Sequence, residues 1–171
     1  LYEGGVRVPF VFRWPGVLPE GVTYDQPVCS IDLMPTAVAL AGGEPPANSR
    51  WDGVDLMPYL TGKLSGAPHR SLFWRADGGQ RFAVREGRFK LVKMANSAPE
   101  LFDLDIDLGE TTDLAAKMPD KVASLLQEYH RWNSSNQPPL WSNPQPAATK
   151  KASAKKATAE KSAGRSKADP S

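Results

Sequence analysis

The chain has 171 residues, 40% of them hydrophobic, with 16 prolines and a formal net charge of +2. That length holds one ordinary domain and some extra chain, and no apolar run reaches the roughly 20 residues a bilayer-spanning helix needs. Residues 1–149 carry 14 Lys and Arg against 17 Asp and Glu, while residues 150–171 carry 7 against 2, so the basicity belongs to the tail and marks no nucleic-acid face on the rest.

The first stretch, Leu1–Gly16, reads LYEGGVRVPFVFRWPG. Adjacent Gly4 and Gly5 predict a tight bend using positive φ. Val8–Trp14 reads as a buried strand whose only charge is Arg13, closed by a Pro15-Gly16 turn. A polar turn region follows to Gln26, and Val28–Ser30 reads as a short strand. Asp32 is placed to cap a helix over 33–40, with Pro35 in the first turn and Gly42-Gly43 as the stop. Leu33, Val38 and Leu40 with Ala37 and Ala41 predict that this helix is largely buried. After a loop over 44–53 comes a short helix, Met57–Leu60, ended by Gly62, and then a linker over 63–68.

From Ser71 the period changes. Residues 71–75, 82–85, 89–94 and 100–104 each read as a short strand, with Glu86-Gly87 at hairpin spacing between two of them. They predict a small antiparallel sheet. Pro119 opens the clearest helix at its favoured first position. Val122, Leu125, Leu126, Tyr129 and Trp132 form one stripe on it, each large side chain contributing roughly 1.5–3 kcal/mol when buried on the sheet. From Ala147 the chain is Ala, Lys and Ser, which is expected to stay disordered.

Asp103, Asp105 and Asp107 alternate as in a calcium loop, but Leu108 and Leu114 stand where that loop needs Gly and Glu, so a solvated turn is the better reading. His69 and His130 are too far apart in sequence to pair as metal ligands by spacing. His69-Arg70 opens the sheet, where the two could meet an anionic substrate at a cleft rim, or form an ordinary loop-to-strand junction. Cys29 is the only cysteine, which excludes an intrachain disulfide.

Four separated segments, in order, resemble the sulfatase family of formylglycine-dependent sulfuric ester hydrolases. They are the E-G-G-x-R-x-P pattern from Glu3 to Pro9, the helix segment IDLMPTAVALAG, the D-G-x-D-L-x-P-x-L-x-G pattern from Asp52 to Gly62, and ELFDLDIDLGETTDLA. The resemblance covers roughly residues 1–132. It implies an α/β, alkaline-phosphatase-like sulfatase fold. Residues 1–62 would be the C-terminal part of the large domain with its last strand and helix. Residues 63–133 would be a small subdomain of antiparallel sheet plus helix, and 134–171 a Pro-rich, then Ala/Lys-rich tail.

In the family, the segment holding Glu3 and Arg7 directly follows a lysine that contacts the substrate sulfate, at a position three residues before Leu1. Glu3 and Arg7 would then lie near the active site, behind the groups that touch substrate; an ion pair steadying a Gly-Gly bend is the other reading. Cys29 sits in CSIDL, without the Pro and Arg of the formylglycine motif, and reads as a small buried hydrophobe. No catalytic residue and no metal ligand of the family matches a position here. Calcium and formylglycine are therefore implied for a longer parent protein, and this chain alone is expected to be inactive. The implied partners are an N-terminal sulfatase domain and a sulfated small molecule or polysaccharide, with a periplasmic or secreted location the expectation for the parent. The alternative is a stand-alone binding module whose basic tail, Lys150–Lys167, binds anions or nucleic acid; a chain opening at a Gly-Gly bend beside a buried strand favours the first reading.

Overall fold

A computed structural model describes residues 1–138. The expected disorder of 147–171 and the basic tail lie outside the described residues. Leu1–Asn136 forms one compact unit, which contains residues of both segments 1–62 and 63–133. No helix among the described residues is long and apolar enough to cross a membrane.

The centre is a four-stranded antiparallel meander: β1 (Ser71–Ala76), β2 (Arg81–Glu86), β3 (Phe89–Lys93) and β4 (Glu100–Asp103), in that spatial order. The period-2 pattern sorts its two faces. One face carries Phe73, Phe82, Val84, Leu91 and Leu101. A 16-residue helix, Pro119–Ser134, lies on it and places Leu125 and Tyr129 in the core. Tyr129 stacks on Phe82 with ring centroids 3.7 Å apart, and Trp132 stacks on Phe73 at 4.9 Å. The hairpin between β2 and β3 turns through Gly87 and Arg88, one residue later than the sequence suggests, because Glu86 already pairs with Phe89. Gly87 takes the positive φ, 58°, that this tight turn requires.

The second face carries Ala83, Val92 and Phe102, with Trp74, Leu1 and Tyr2 packed against them. The chain reaches it through a one-turn helix, α1 (Glu3–Val6). This corrects the expected glycine bend: Gly4 and Gly5 are absent from the positive-φ positions, and a Cβ on either would meet open space. The turn is made by hydrogen bonds instead, Gly5 N to Tyr2 O at 2.9 Å and Arg7 N to Glu3 O at 2.8 Å.

Val8–Trp14 forms no strand. A strand needs a neighbour to share its ladder, and among the described residues none pairs with this segment; Val8 is 68% and Val11 87% exposed. Val28–Ser30 is likewise not a strand and runs into a 3-10 turn, Ser30–Asp32. The helix α2 (Leu33–Leu40) forms as read, and its end is closed by Gly42 N to Ala39 O and Gly43 N to Val38 O, with Gly42 at φ 72°. It is not largely buried: only Thr36 is, while Leu33, Met34 and Leu40 are exposed, since its apolar sides find few described neighbours. α3 (Met57–Leu60) follows as expected; the Pro119 helix is α4.

Candidate functional site

On the second face of the sheet, β3 presents a lysine where its neighbours present apolar side chains. Lys90 alternates with Phe89 and Leu91 and so points away from α4, into the side where Val92 packs. It is completely buried. Its Nζ lies 2.7 Å from Glu3 Oε1 and 2.9 Å from Glu110 Oε1, and 5.6 Å from the centre of the Trp74 ring. A buried ammonium is tolerable only when paired and hydrogen-bonded, and here two carboxylates from distant segments supply the pairing.

Glu110 does a second job. Its Oε2 accepts the backbone N–H of Glu3 at 2.5 Å. That amide belongs to the first turn of α1, whose donors have no intrahelical partner. Glu110 adopts φ 53°, left-handed for a non-glycine residue. The Glu3 carboxylate also has Arg7 at 3.8 Å and Arg85 at 4.0 Å on its other oxygen. Tyr2 completes the docking: its hydroxyl donates to Glu100, and this bond with the nearby carboxylate charge pushes the phenol up to about 12.

Two clefts flank this cluster. One, about 600 Å3, lies between Tyr2–Gly4, Arg7 and Leu108–Glu110. The other, about 920 Å3, is walled by Arg7, Phe10, Phe12, Trp74 and Arg85, with Asp25 also on its lining. Arg7 stands on the wall of both and is 58% exposed.

His69 and Arg70 lie elsewhere and share no partner with this cluster. His69 Nε2 sits 2.8 and 2.9 Å from the two oxygens of Asp32, which is fully buried. Asp32 also accepts Cys29 N at 2.8 Å and Val54 N at 2.9 Å. It stands at the head of α2, but its carboxylate gives α2 no cap bond and ties three segments together instead. Arg70 is exposed and pairs with Glu86 at 3.2 Å and Glu128 at 3.7 Å, on the α4 side of the sheet. Cys29 is a free, half-buried thiol. The Asp103–Asp107 stretch is a turn tied by its own bonds: Asp103 pairs with Arg88, and Asp107 accepts Thr111 and Thr112 amides, which hold it below the usual carboxylate range.

The sequence reading missed Lys90, Arg85 and Glu110. The available signal for Lys90 was positional: a lysine two residues before Val92 on a strand shares that residue's face.

The family model for the C-terminal region of N-sulphoglucosamine sulphohydrolase matches residues 1–131. The chain belongs to the sulfatase family. It is 34% identical over 151 residues to bovine arylsulfatase A, covering 74% of this chain and 29% of that protein. It is 34% identical to rat arylsulfatase G over 164 residues, 78% of this chain and 31% of that one. A 72-residue stretch is 46% identical to human arylsulfatase D, 42% of this chain and 12% of that one. The sulfatase homologue thus spans less than a third of the length of these relatives. Among solved structures, it is similar to Ps i-CgsB, with TM-score 0.66 and 27% identity over 75% of this chain and 29% of that chain. It is also similar to the phosphonate monoester hydrolase SpPMH from Silicibacter pomeroyi, with TM-score 0.57 and 26% identity over 74% and 28%. These likenesses give the mixed α/β, alkaline-phosphatase-like sulfatase fold, and the sheet and α4 are its C-terminal portion.

Proposed function

We propose that this sulfatase C-terminal region serves a longer enzyme that hydrolyses sulfate esters, and that its part is to hold the Glu3–Arg7 segment against the sheet. The observation that carries the reading is the docking of that segment by Lys90 and Glu110. By the family resemblance, a lysine that contacts the sulfate stands three positions before Leu1, just upstream of this segment. A sulfuryl-transfer site must fix its charge-stabilising groups before the reaction begins, and a segment pinned by a buried lysine is a rigid support for them. Buried Glu3 then lies behind the reacting groups, and Arg7 stands on the cleft wall beside them.

Calcium and formylglycine belong to the longer protein in this reading. Among the described residues no three His, Cys, Asp or Glu side chains are grouped as a metal site requires. The described residues therefore offer no cluster that fits the ion. The substrate class proposed is a sulfated small molecule or sulfated polysaccharide. Support for the latter is the structural neighbour Ps i-CgsB, solved with k-i-k-neocarrahexaose at 27% identity. The likeness to a phosphonate monoester hydrolase favours one second reading, phosphonate ester cleavage. Parallel assays of the full-length protein on p-nitrophenyl sulfate and a p-nitrophenyl phosphonate ester separate them: preferred turnover of the sulfate supports the proposal, and preference for the phosphonate overturns it.

A further inference from the structure

Nothing in the local pattern of β3 asks for a charge at Lys90. The face it enters carries Ala83, Val92, Phe102 and Trp74, and an apolar side chain of similar volume would serve stability there as well as a buried ion pair does. What the ammonium adds is placement. An apolar contact allows the segment above it to slide, whereas Nζ must meet Glu3 at 2.7 Å and Glu110 at 2.9 Å together. Glu110 is held at φ 53° while it also receives the Glu3 amide, a conformation that persists only where its surroundings over-determine it. Among the described residues Arg7 forms its ion pair with Glu3, at 3.8 Å. Arg7 is thus located through Glu3, and Glu3 through Lys90.

We propose that Lys90 is a positioning residue for recognition of the anionic substrate: its ammonium, shared by Glu3 and Glu110, fixes Tyr2–Arg7 in one place and so fixes the Arg7 guanidinium at the junction of the two clefts, where it meets a sulfate-bearing ligand. The substrate class rests on the proposed sulfate-ester reading; the coupling rests on the geometry alone. Arg85, on the wall of the larger cleft and 4.0 Å from Glu3, is placed by the same cluster.

The test uses the full-length protein and two variants. The first is Lys90→Met. The second is the triple Glu3→Gln, Lys90→Met, Glu110→Gln, which removes the fully buried ammonium together with both carboxylates it pairs. Hydrogen exchange reads the coupling, and calorimetry with inorganic sulfate reads recognition without requiring turnover. In the triple variant the Glu3–Arg7 amides are expected to exchange about tenfold faster or more, with residues 81–103 unchanged, and the Kd for sulfate to rise about tenfold, as in Arg7→Met. Wild-type exchange at Glu3–Arg7 in the triple variant overturns the inference. So does faster exchange with an unchanged sulfate Kd, which makes the cluster structural only, and so does a wild-type protein that binds no sulfate. A wild-type protein that binds sulfate but cleaves no sulfate ester contradicts the proposed activity and leaves this inference standing.

Discussion

His69 reaches back 37 residues to Asp32, with its Nε2 2.8 Å from one carboxylate oxygen and 2.9 Å from the other. The same carboxylate accepts Cys29 N and Val54 N, so one buried side chain joins the loop before α2, the loop before α3 and the entry to the sheet. Each donor left buried without an acceptor costs about 1–3 kcal/mol. Asp32→Ala orphans three of them and His69→Ala removes only one, so Asp32→Ala is expected to be the more destabilising by denaturant unfolding. Equal losses would mean that the backbone bonds add nothing.

Gly53 sits beside this hub. A Cβ there would lie 2.2 Å from the Ile31 carbonyl oxygen, a backbone atom that cannot swing aside. Gly53→Ala is expected to destabilise by about 1–3 kcal/mol. Gly4→Ala, where a Cβ meets open space, is the control. A Gly53→Ala melting temperature equal to wild type would contradict the close approach.

The α4 face of the core depends on Leu125, which is fully buried against the sheet. Leu125→Ala is expected to cost about 2–5 kcal/mol, measured as a shift in the denaturant midpoint. An unmoved midpoint in a cooperative transition would contradict the packing.

Glu86 joins the sheet to α4 through Lys121 at 2.6 Å. The hydrogen bond from Lys121 holds its carboxyl below the usual value, with Arg70 adding to it. A carboxyl lowered on folding stabilises the protein above its ordinary value, near about 4.3. That contribution is lost as pH falls through the lowered folded value, because the unfolded chain then binds the proton more readily. Lys121→Met is expected to lower stability in the neutral region and to converge with wild type once the pH lies below the lowered folded value, which flattens the acid limb. An acid limb identical to wild type would show that the pair contributes nothing.

The sheet and α4 were legible because their signals are local. Alternation of Phe89, Leu91 and Lys93 against Lys90 and Val92, the Gly87 turn and Pro119 at a helix start each specify structure within a few residues. Val8–Trp14 misled because an apolar run says that a segment seeks burial, not which strand pairs with it. Glu3 and Arg7 came into view through the resemblance. The Glu3 partner Lys90 did not, since the contact spans 87 residues and a strand lysine ordinarily faces water. Asp32 was read as a helix cap; its bonds to Val54 and His69 come from segments that no local pattern connects to it.

The most direct test of the central claim is sulfate-ester turnover, measured with p-nitrophenyl sulfate and added calcium on this chain alone and on the longer protein, matured by a formylglycine-generating enzyme as the proposed function requires. The expected result is turnover by the full-length protein and none above a buffer blank by the 171-residue chain. Turnover by the chain alone would contradict the claim, as would a correctly matured full-length protein inactive across several sulfate esters.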